Sequence, residues 1–442
     1  SIGIAQGAGC GKYLAQWMVH GDCEINVSGF DPRRFGKYAD ADYTRAKSFQ
    51  DYEHMFVTHL PGEERPAGRP ARRSGLYDVL CAKGAVHTEA FGWERPKWFS
   101  LDGRGEEGGF RRNDLHPVIA EECRAVRERV GVLDLSSFAK FDVSGPNAAA
   151  FLNRIYGNAM PKRPGGIVLT HRLGRGGRIE GESTITRLGD EHYYVLSGAA
   201  WELLDLDQFE AMRQAGENVQ VSNITDDFGV LVVAGPKARD TLSALTPEDL
   251  SNEGFPWLSG KEMEMAGIQV RALRVNYVGS LGWELHCPMP RLAELYEAVW
   301  GAGEKHAIAD FGVYAVNSLR LEKAYKGMGA ELTNEITPVE ADIMRFVKLD
   351  KEFVGRGEVE AARAKGAWTS LVYGHLAATD SDARGGEPVR REGNVIGVTT
   401  SGGYGHDTAQ SLFFAYVDPA SSKPGSKLEV KILGEWLEAV VL

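Results

Sequence analysis

The hydrophobic positions from His116 onward alternate between a helical spacing and the two-residue spacing that is typical of strands. Apolar residues recur on one helical face after His116, and the strand-like run VLDLSSFAKFDVSG follows. The turn sequence LGRGG separates two further predicted strands. This mixture predicts an α+β fold. The predicted helices are 118–130, 201–215, 291–301 and 310–323, and the predicted strands include the pair within 170–188 and the run LVVAG at 231–235.

A short pattern occurs twice in this region. GPNAAAFLNRI at 145–155 and GPKARDTLSAL at 235–245 each follow a predicted strand, begin with Gly-Pro and continue as a helix. The echo predicts a pseudo-duplicated domain in which each half pairs a strand, a Gly-Pro turn and a helix. After Asp350 the chain changes to short alternating runs with glycine turns about every ten residues, which predicts a small antiparallel β-barrel.

The first hundred residues have a different character. Gly7, Gly9 and Gly11 predict a glycine-rich loop that leads into the helical run KYLAQWMV. Such a loop can offer free N–H groups to a phosphate, a carboxylate or the carbonyl edge of a flavin, although an ordinary connecting loop is an equal alternative. The run 46–56 is helical in pattern, 61–75 is a basic turn-rich connector, and 76–100 predicts a helix, a turn and a strand.

Composition and charge restrict the function classes. The 442 residues carry a net charge of −11, which disfavours nonspecific binding to nucleic acid or to an anionic membrane. Five scattered cysteines without a CxxC pair indicate free thiols in a reducing compartment, the cytoplasm or the mitochondrial matrix of a eukaryote. No run is long enough to cross a bilayer, and the first residues lack the pattern of a secretory signal.

The most informative stretch for chemistry is NYVGSLGWELH at 276–286, where Tyr277 and Glu284 flank a turn containing two glycines. An aromatic ring and a carboxylate in this arrangement can hold a flat heterocycle with donor groups on its edge. The simpler interpretation is a β-hairpin in which Trp283 packs in the core and Glu284 points to water. The pattern alone leaves both open.

Several motifs in order resemble those of the aminomethyltransferase (glycine-cleavage T-protein) family. They are VGVLDLSSFAKFDVSGPNAAAFL, YVGSLGWELH, NSLRLEKAYKGMGAELTNEITPVEA and GGEPVRREGNVIGVTTSGGYG. The preceding segments GAGCGKYLAQWMVHG, FDPRRFG, AGRPARRSGLYDVL and GWERPKWF are similar to the junction between the flavin and folate domains of dimethylglycine and sarcosine dehydrogenases.

The resemblance implies four segments and two cofactors. Residues 1–38 would be the C-terminal tail of an FAD-binding domain, 39–100 a connector, 101–348 a T-protein-like folate-binding domain and 349–442 a C-terminal antiparallel barrel. Dimethylglycine and sarcosine dehydrogenases oxidise an N-methyl amine with FAD, and tetrahydrofolate then captures the one-carbon unit as methylenetetrahydrofolate. The larger part of the flavin domain is absent from this sequence, which implies either a longer protein or a separate flavin subunit.

The resemblance also implies roles for particular residues. Glu284 would accept hydrogen bonds from the pterin and Tyr277 would line its pocket, while Glu182 of GRIEGESTITRL would lie near the reacting nitrogen. Thr184 would lie on the same strand face as Glu182. Glu180 would take the place of Glu182 if the register of the strand differed. Gly7, Gly9 and Gly11 would offer their N–H groups to a flavin. Arg320 is a candidate for the pocket wall, with a surface salt bridge as the alternative, and Tyr404 is a candidate for the channel mouth, with a structural turn as the alternative. His116, His171 and His286 are too scattered to predict a metal site.

Three functions stay open at this point. The first is the folate-binding part of a flavin-dependent N-demethylating dehydrogenase acting on a methylated amine. The second is a stand-alone tetrahydrofolate-dependent aminomethyltransferase or methyltransferase, against which the connecting segment 27–99 argues. The third is a noncatalytic folate-binding subunit of a larger oxidase.

Overall fold

A computed structural model of the chain describes residues 3–21 and 23–442. The α-helices of this range are α1 Gly3–His20, α2 Ala41–Glu53, α3 Tyr77–Ala82, α4 His116–Glu128, α5 Ala148–Ile155, α6 Glu202–Met212, α7 Ala238–Leu242, α8 Leu292–Gly303, α9 Val313–Leu321 and α10 Arg356–Lys365. The strands are β1 Ala85–Ala90, β2 Trp93–Phe99, β3 Gly131–Asp134, β4 Ala139–Ser144, β5 Ile167–Leu173, β6 Ile179–Arg187, β7 His192–Ser197, β8 Gln220–Asn223, β9 Phe228–Ala234, β10 Gly260–Met265, β11 Ile268–Leu273, β12 Gly282–Pro288, β13 Ala309–Asp310, β14 Ser370–Leu376, β15 Pro388–Arg391, β16 Asn394–Gly405, β17 Gln410–Val417, β18 Lys427–Ile432 and β19 Glu435–Val441.

Two sheets form the central region. The first has the order β5-β6-β7-β4-β8, and its neighbouring strands are antiparallel. The second has the order β10-β11-β12-β9-β3-β13, with only β13 running parallel to its neighbour. Each sheet buries one face against helices. Phe141 of β4 packs with Phe151 of α5 and Phe209 of α6, whereas Trp283 of β12 packs in a separate core with residues of α7 and α8.

The predicted pseudo-duplication is visible in these two sheets. β4 of the first sheet and β9 of the second each end at a Gly-Pro turn, and a helix follows in both cases. Gly145 and Gly235 hold the same unusual backbone conformation, with φ of 117° and 131°. A Cβ at either position would lie 2.5 Å from a backbone carbonyl oxygen, so glycine is needed for the close approach. The sequence echo therefore reflects a repeated structural unit.

The other faces of the two sheets meet. Tyr194 and Leu196 of β7 share an apolar cluster with Leu273 of β11, which joins the two sheets across the space between them. Because side chains alternate along a strand, Glu182 and Thr184 of β6 point to this side of the first sheet. We call this space the inter-sheet layer. It is where the predicted site residues of β6 and β12 are brought together.

The C-terminal strands form a closed barrel in the order β14-β17-β16-β15-β18-β19, as the alternation after Asp350 predicts. Its interior is filled by apolar side chains that include Phe413 and Val430. The barrel is joined to the rest of the molecule by polar contacts as well. The Tyr416 hydroxyl of β17 donates to the Glu331 carbonyl oxygen over 2.7 Å.

The N-terminal region departs from the sequence predictions in two places. Gly7, Gly9 and Gly11 lie inside α1, so the predicted glycine-rich loop is wrong. No proline interrupts the run, and a helical glycine costs only about 1 kcal/mol relative to alanine. Helical N–H groups bond the carbonyl four residues earlier, so these glycines offer no cluster of free donors to a flavin. The segment predicted to hold one strand near 92–99 forms the hairpin of β1 and β2.

Helix α2 is attached to the hairpin by polar contacts: Tyr43 and Lys47 both bond the Glu89 carboxylate of β1. Phe49 and Tyr52, three residues apart on the helix, are exposed by 67% and 72%. Phe56 lies three residues beyond the end of the helix at Glu53 and is exposed by 88%. We call these three exposed side chains the aromatic stripe of α2.

Two properties can be stated for the described range as a whole. Of the helices in residues 3–21 and 23–442, none combines the length and apolar character of a membrane span. Within the same residues, no group of three or more His, Cys, Asp and Glu side chains is arranged to hold a metal ion.

Candidate functional site in the inter-sheet layer

The turn before β12 is built by its own side chains. The Asn276 side-chain oxygen accepts hydrogen bonds from the N–H groups of Val278 and Gly279 over 3.1 and 3.0 Å. Gly279 has φ of 67°, and a Cβ at this position would collide with the side chain of Lys323. Arg127 closes the turn from outside by donating to the Val278 carbonyl over 2.9 Å. These contacts fix the backbone on both sides of Tyr277.

Tyr277 is 38% exposed and is fixed at its hydroxyl. The hydroxyl donates to the Lys326 carbonyl over 2.6 Å, and the ring stacks on Tyr325 with centroids 5.8 Å apart. Burial raises the pKa of Tyr277, with Arg320 opposing the shift and the Glu182 charge adding to it. The negative charge of Glu182 on β6 is therefore near enough to act on the Tyr277 hydroxyl.

Trp283 and Glu284 are adjacent in the sequence, but their side chains point to opposite faces of β12. Trp283 is fully buried in the core beneath the second sheet, as the hairpin interpretation predicts. Glu284 points to the opposite face, where it pairs in register with Leu273. Its side chain is only 13% exposed, so the expectation that Glu284 points to water is wrong. The reason is that both faces of β12 are covered, one by helices and the other by the first sheet.

Glu284 is a buried carboxyl group without a cationic partner. Burial raises its pKa to about 8. Across residues 3–21 and 23–442, no lysine or arginine forms an ion pair with it, and its polar neighbour is His286, whose Nε2 lies 3.5 Å away. Burial, with Lys140 and Arg271, lowers the pKa of His286 well below its usual range, so this imidazole is neutral near pH 7. The Tyr194 hydroxyl bonds the other nitrogen of His286 over 3.0 Å.

A β-bulge between β5 and β6 gives Glu182 and Glu180 different surroundings. Leu173 pairs with Ile179, but Arg172 pairs with Gly181 and His171 with Glu182, so Glu180 is the extra residue. Glu180 bonds Arg172 over 2.7 Å. Glu182 bonds Nε2 of buried His171 over 3.0 Å and keeps a side chain that is 24% exposed. The bulge thus distinguishes two carboxylates that the sequence leaves interchangeable. Thr184 follows on the Glu182 face, as predicted.

Arg320 is neither a surface salt bridge nor an open ligand contact. Its guanidinium is buried and donates to the fully buried Glu331 carboxylate over 3.1 Å and to Ser401 over 2.8 Å. It also donates to the Tyr325 carbonyl over 3.0 Å, immediately behind the ring that stacks on Tyr277. The predicted surface role of Arg320 is therefore wrong, and its observed contacts support the wall behind Tyr277.

Tyr404 lies on a different surface from Tyr277. The Arg112 guanidinium sits 4.2 Å from its ring centroid, and the His116 ring is 4.8 Å away. Together they line a cavity of about 220 Å³ between α4, α9 and the barrel. Its position at the mouth of a folate channel stays a prediction.

Sequence reasoning missed three residues of the inter-sheet layer: His171, Tyr194 and His286. His286 could have been found, because the pattern Glu-Leu-His places it on the Glu284 face. His171 could not be paired with Glu182 from sequence. Counting from Leu173 opposite Ile179 without a bulge would place His171 opposite Gly181.

A repeated two-sheet domain followed by a closed barrel, with a motif carboxylate between the sheets, defines a recognisable class of protein. The family model for the GCVT N-terminal domain matches residues 76–351, and that for the glycine cleavage T-protein C-terminal barrel domain matches 370–442. The chain belongs to the glycine cleavage T-protein family. A model for the FAD dependent oxidoreductase central domain matches 20–74.

Particular relatives place the chain within this family. It is similar to mouse (Mus musculus) mitochondrial dimethylglycine dehydrogenase, with 39% identity over all of this chain and 51% of that protein. It is 31% identical to human mitochondrial sarcosine dehydrogenase over 96% of this chain and 51% of that protein. It is 33% identical to the aminomethyltransferase of Streptomyces coelicolor over 80% of this chain and 92% of that protein. The chain spans about half the length of the two dehydrogenases.

The crystal structure of the aminomethyltransferase of the glycine cleavage system from Bartonella henselae has the same fold. The TM-score is 0.73 at 23% identity, over 84% of this chain and 96% of that one. The inter-sheet layer fits a tetrahydrofolate pterin, since Glu284 is a buried acceptor without a cationic partner in the described chain. The glycines of α1 do not fit a flavin, because their backbone is helical.

Proposed function

We propose that this chain is the folate-binding part of a flavin-dependent N-demethylating dehydrogenase of the dimethylglycine or sarcosine type. It would transfer the one-carbon unit of an oxidised N-methyl amine to tetrahydrofolate, giving methylenetetrahydrofolate. The observation that carries the proposal is the Glu284 carboxyl group. It is buried between two sheets, has its pKa raised to about 8, and has no cationic partner among residues 3–21 and 23–442.

Glu284 suits the pterin edge for a physical reason. A carboxylate can accept two parallel N–H bonds, and such charged hydrogen bonds are shorter and stronger than neutral ones. A buried carboxyl group without partners is costly, so it is expected where a ligand supplies the missing donors. The pterin of tetrahydrofolate has N–H donors on its edge. Glu284 would therefore bind and orient the cofactor.

Tyr277 and Glu182 complete the pocket from the other side. Tyr277 would line the pterin with its ring, held in place by the bond from its hydroxyl to Lys326. Glu182 would lie near the nucleophilic nitrogen, where its negative charge supports a cationic one-carbon unit. Thr184 offers a hydroxyl two residues further along the same face. Tetrahydrofolate itself would supply the nitrogen that receives the carbon.

The flavin partner and the compartment belong to the same proposal. The FAD dependent oxidoreductase central domain match at 20–74 and the half-length coverage of the dehydrogenases support a flavin-binding remainder or subunit. The same match argues against a stand-alone aminomethyltransferase. The free cysteines support a reducing compartment, the cytoplasm or the mitochondrial matrix.

Calorimetry with tetrahydrofolate tests the assignment. Glu284→Ala should weaken binding by about 1–3 kcal/mol, the cost of losing charged hydrogen bonds. Glu262→Ala on the exposed side of β10 is the matched control and should bind like the unaltered chain. Equal affinity of the Glu284→Ala variant, with its fold intact by circular dichroism, would refute the folate-site assignment.

A further inference from the structure

His171 is buried and has one of its two ring nitrogens engaged. It is 1% exposed, and its Nε2 lies 3.0 Å from the Glu182 carboxylate. Nδ1 is buried and has no hydrogen-bond partner among residues 3–21 and 23–442. The ring packs beside Phe346, with the centroids 5.7 Å apart. Only the Glu182 side of this imidazole is therefore polar.

This environment selects one tautomer. A carboxylate accepts, so Nε2 must carry the proton that it donates to Glu182. A second proton on Nδ1 would be a buried donor without an acceptor, which costs free energy. The neutral imidazole with its proton on Nε2 satisfies both conditions. In this form Nδ1 is an unprotonated nitrogen against an apolar wall.

We propose that His171 is a positioning residue for Glu182, holding its carboxylate in place as an anion through the Nε2–H bond and taking no part in proton movement. The inference rests on the proposed folate function, which it deepens. The regular register from Ile167 opposite Thr186 to Arg172 opposite Gly181 creates the pair, because it places Glu182 opposite His171. The β-bulge at Glu180 lies beyond this ladder, towards the turn that joins β5 and β6.

The arrangement ranks the roles open to Glu182. A proton accepted by Glu182 cannot pass to Nε2 of His171, which already carries one. It also cannot be relayed through Nδ1, which has no described partner. A fixed anion can stabilise a cationic one-carbon unit without any proton transfer. These contacts exclude a proton relay from Glu182 through His171, and a carboxylate held in place by His171 suits electrostatic support of that cation.

Nuclear magnetic resonance tests the tautomer without any ligand. Long-range ¹H–¹⁵N correlations of the ¹⁵N-labelled chain at pH 7 should show His171 with its proton on Nε2 alone. His171→Leu identifies the signals by their loss. A proton on Nδ1, on either the neutral or the doubly protonated ring, would overturn the proposal.

Tetrahydrofolate binding tests the positioning role, because a Glu182 carboxylate beside the nucleophilic nitrogen would also accept the N–H of that nitrogen in the bound cofactor. His171→Leu should raise Kd about tenfold, the equivalent of one charged hydrogen bond, whereas His171→Gln retains a donor near the Nε2 position and should stay within about twofold. In a Glu182→Ala background, His171→Leu should add no further loss. His192→Leu removes a second histidine–carboxylate pair, with Asp142 at 3.2 Å, and should leave Kd unchanged.

The outcomes separate this inference from the proposed function. An equal loss from His171→Leu with and without Glu182 would show a merely structural role and overturn the inference. So would an unchanged Kd in His171→Leu. If the unaltered chain fails to bind tetrahydrofolate, the proposed function fails, and the resonance experiment still decides the tautomer.

Discussion

The carboxylate of Glu284 lies 3.5 Å from Nε2 of His286, two residues further along the same face of β12. Both side chains are uncharged near pH 7, since burial raises the pKa of Glu284 to about 8 and lowers the pKa of His286 well below its usual range. The inter-sheet layer thus holds Glu284 and His286 as an uncharged pair. A ligand with N–H donors would be bound best by the charged form of Glu284. This relationship makes ligand binding sensitive to pH.

Tetrahydrofolate binding should strengthen as the pH rises towards 8. Donors from the ligand stabilise the charged carboxylate, so binding lowers the pKa of Glu284 and releases its proton. Between pH 6 and 8 the affinity should rise by up to about tenfold per pH unit, then level off. Calorimetry in buffers of different ionisation enthalpy measures the released proton directly.

Two variants control this experiment. Glu284→Gln should flatten the pH profile over this range. Glu122 also has its pKa raised to about 8 by burial, but its carboxylate already accepts the N–H groups of Phe99 and Gly312 over 2.8 Å each. Glu122→Gln should leave the binding profile unchanged. A slope that persists in Glu284→Gln would contradict the role of that carboxyl group.

The contribution of Glu122 and Glu284 to fold stability should fall as the pH rises from about 4.5 to about 8. Over this window the unfolded chain loses protons that folded Glu122 and Glu284 keep, so a rising pH favours unfolding. Each group contributes up to about 1.4 kcal/mol per pH unit. Urea unfolding between pH 5 and 8.5 should show a shallower slope for Glu122→Gln. Exposed Glu121, one residue earlier on α4, is the control, and Glu121→Gln should keep the original slope.

Glu182→Ala should separate oxidation from one-carbon capture when the chain works with a flavin domain. The amine should still be oxidised, because Glu182 lies in the folate half. Free formaldehyde should rise, because the anion that supports the one-carbon cation is gone. A formaldehyde assay with tetrahydrofolate present measures the ratio of the two products. An unchanged ratio would count against the role of Glu182.

Arg320→Leu should destabilise the fold strongly. It would leave the fully buried Glu331 carboxylate without its cation, a change that costs about 3–5 kcal/mol in comparable buried pairs. Arg124 forms an exposed pair with Glu121, and Arg124→Leu should cost less than about 1 kcal/mol. Chemical denaturation of both variants provides the comparison, and similar losses would contradict the buried-pair argument.

If the proposed flavin-binding partner docks on residues 20–74, which match the FAD dependent oxidoreductase central domain, the aromatic stripe of α2 would lie in the contact. Phe49→Ser, Tyr52→Ser and Phe56→Ser together should abolish copurification with the half of mouse dimethylglycine dehydrogenase that this chain does not match. These side chains are exposed, so the variant should remain folded. Trp257 and Trp368 have similar exposure elsewhere, and their serine variants should copurify normally. Equal recovery of all variants would exclude this surface.

The sequence patterns predict the helices and strands of the two sheets well, because burial of one face of an element spaces its apolar residues regularly along the chain. The alternation of β6 and β12 and the repeated Gly-Pro turns all reappear in the structure. The barrel follows from strand and turn spacing alone. The glycines of α1 show the limit of local patterns, since a turn-forming composition is compatible with a helix when no residue ends it.

The site is less predictable because it depends on distant contacts and a single extra residue. Glu284 is buried only because the first sheet covers its face, which no local pattern shows. Glu182 is distinguished from Glu180 by a bulge, and the partner of Arg320 lies on another segment of the chain. Family resemblance supplied the candidate residues, but their electrostatic environment could be described only from the fold.

Glu331 determines whether the barrel can be treated as an exchangeable module. Its carboxylate accepts bonds from Arg320 of α9, from the Gly327 N–H and from Thr400 and Ser401 of β16. A barrel transplanted from a relative would need hydroxyl side chains at the positions of Thr400 and Ser401. Without them, the Glu331 carboxylate would be buried with fewer hydrogen bonds. The barrel and the two-sheet domain are therefore structurally coupled, and chimaeras should be joined so that β16 stays with α9.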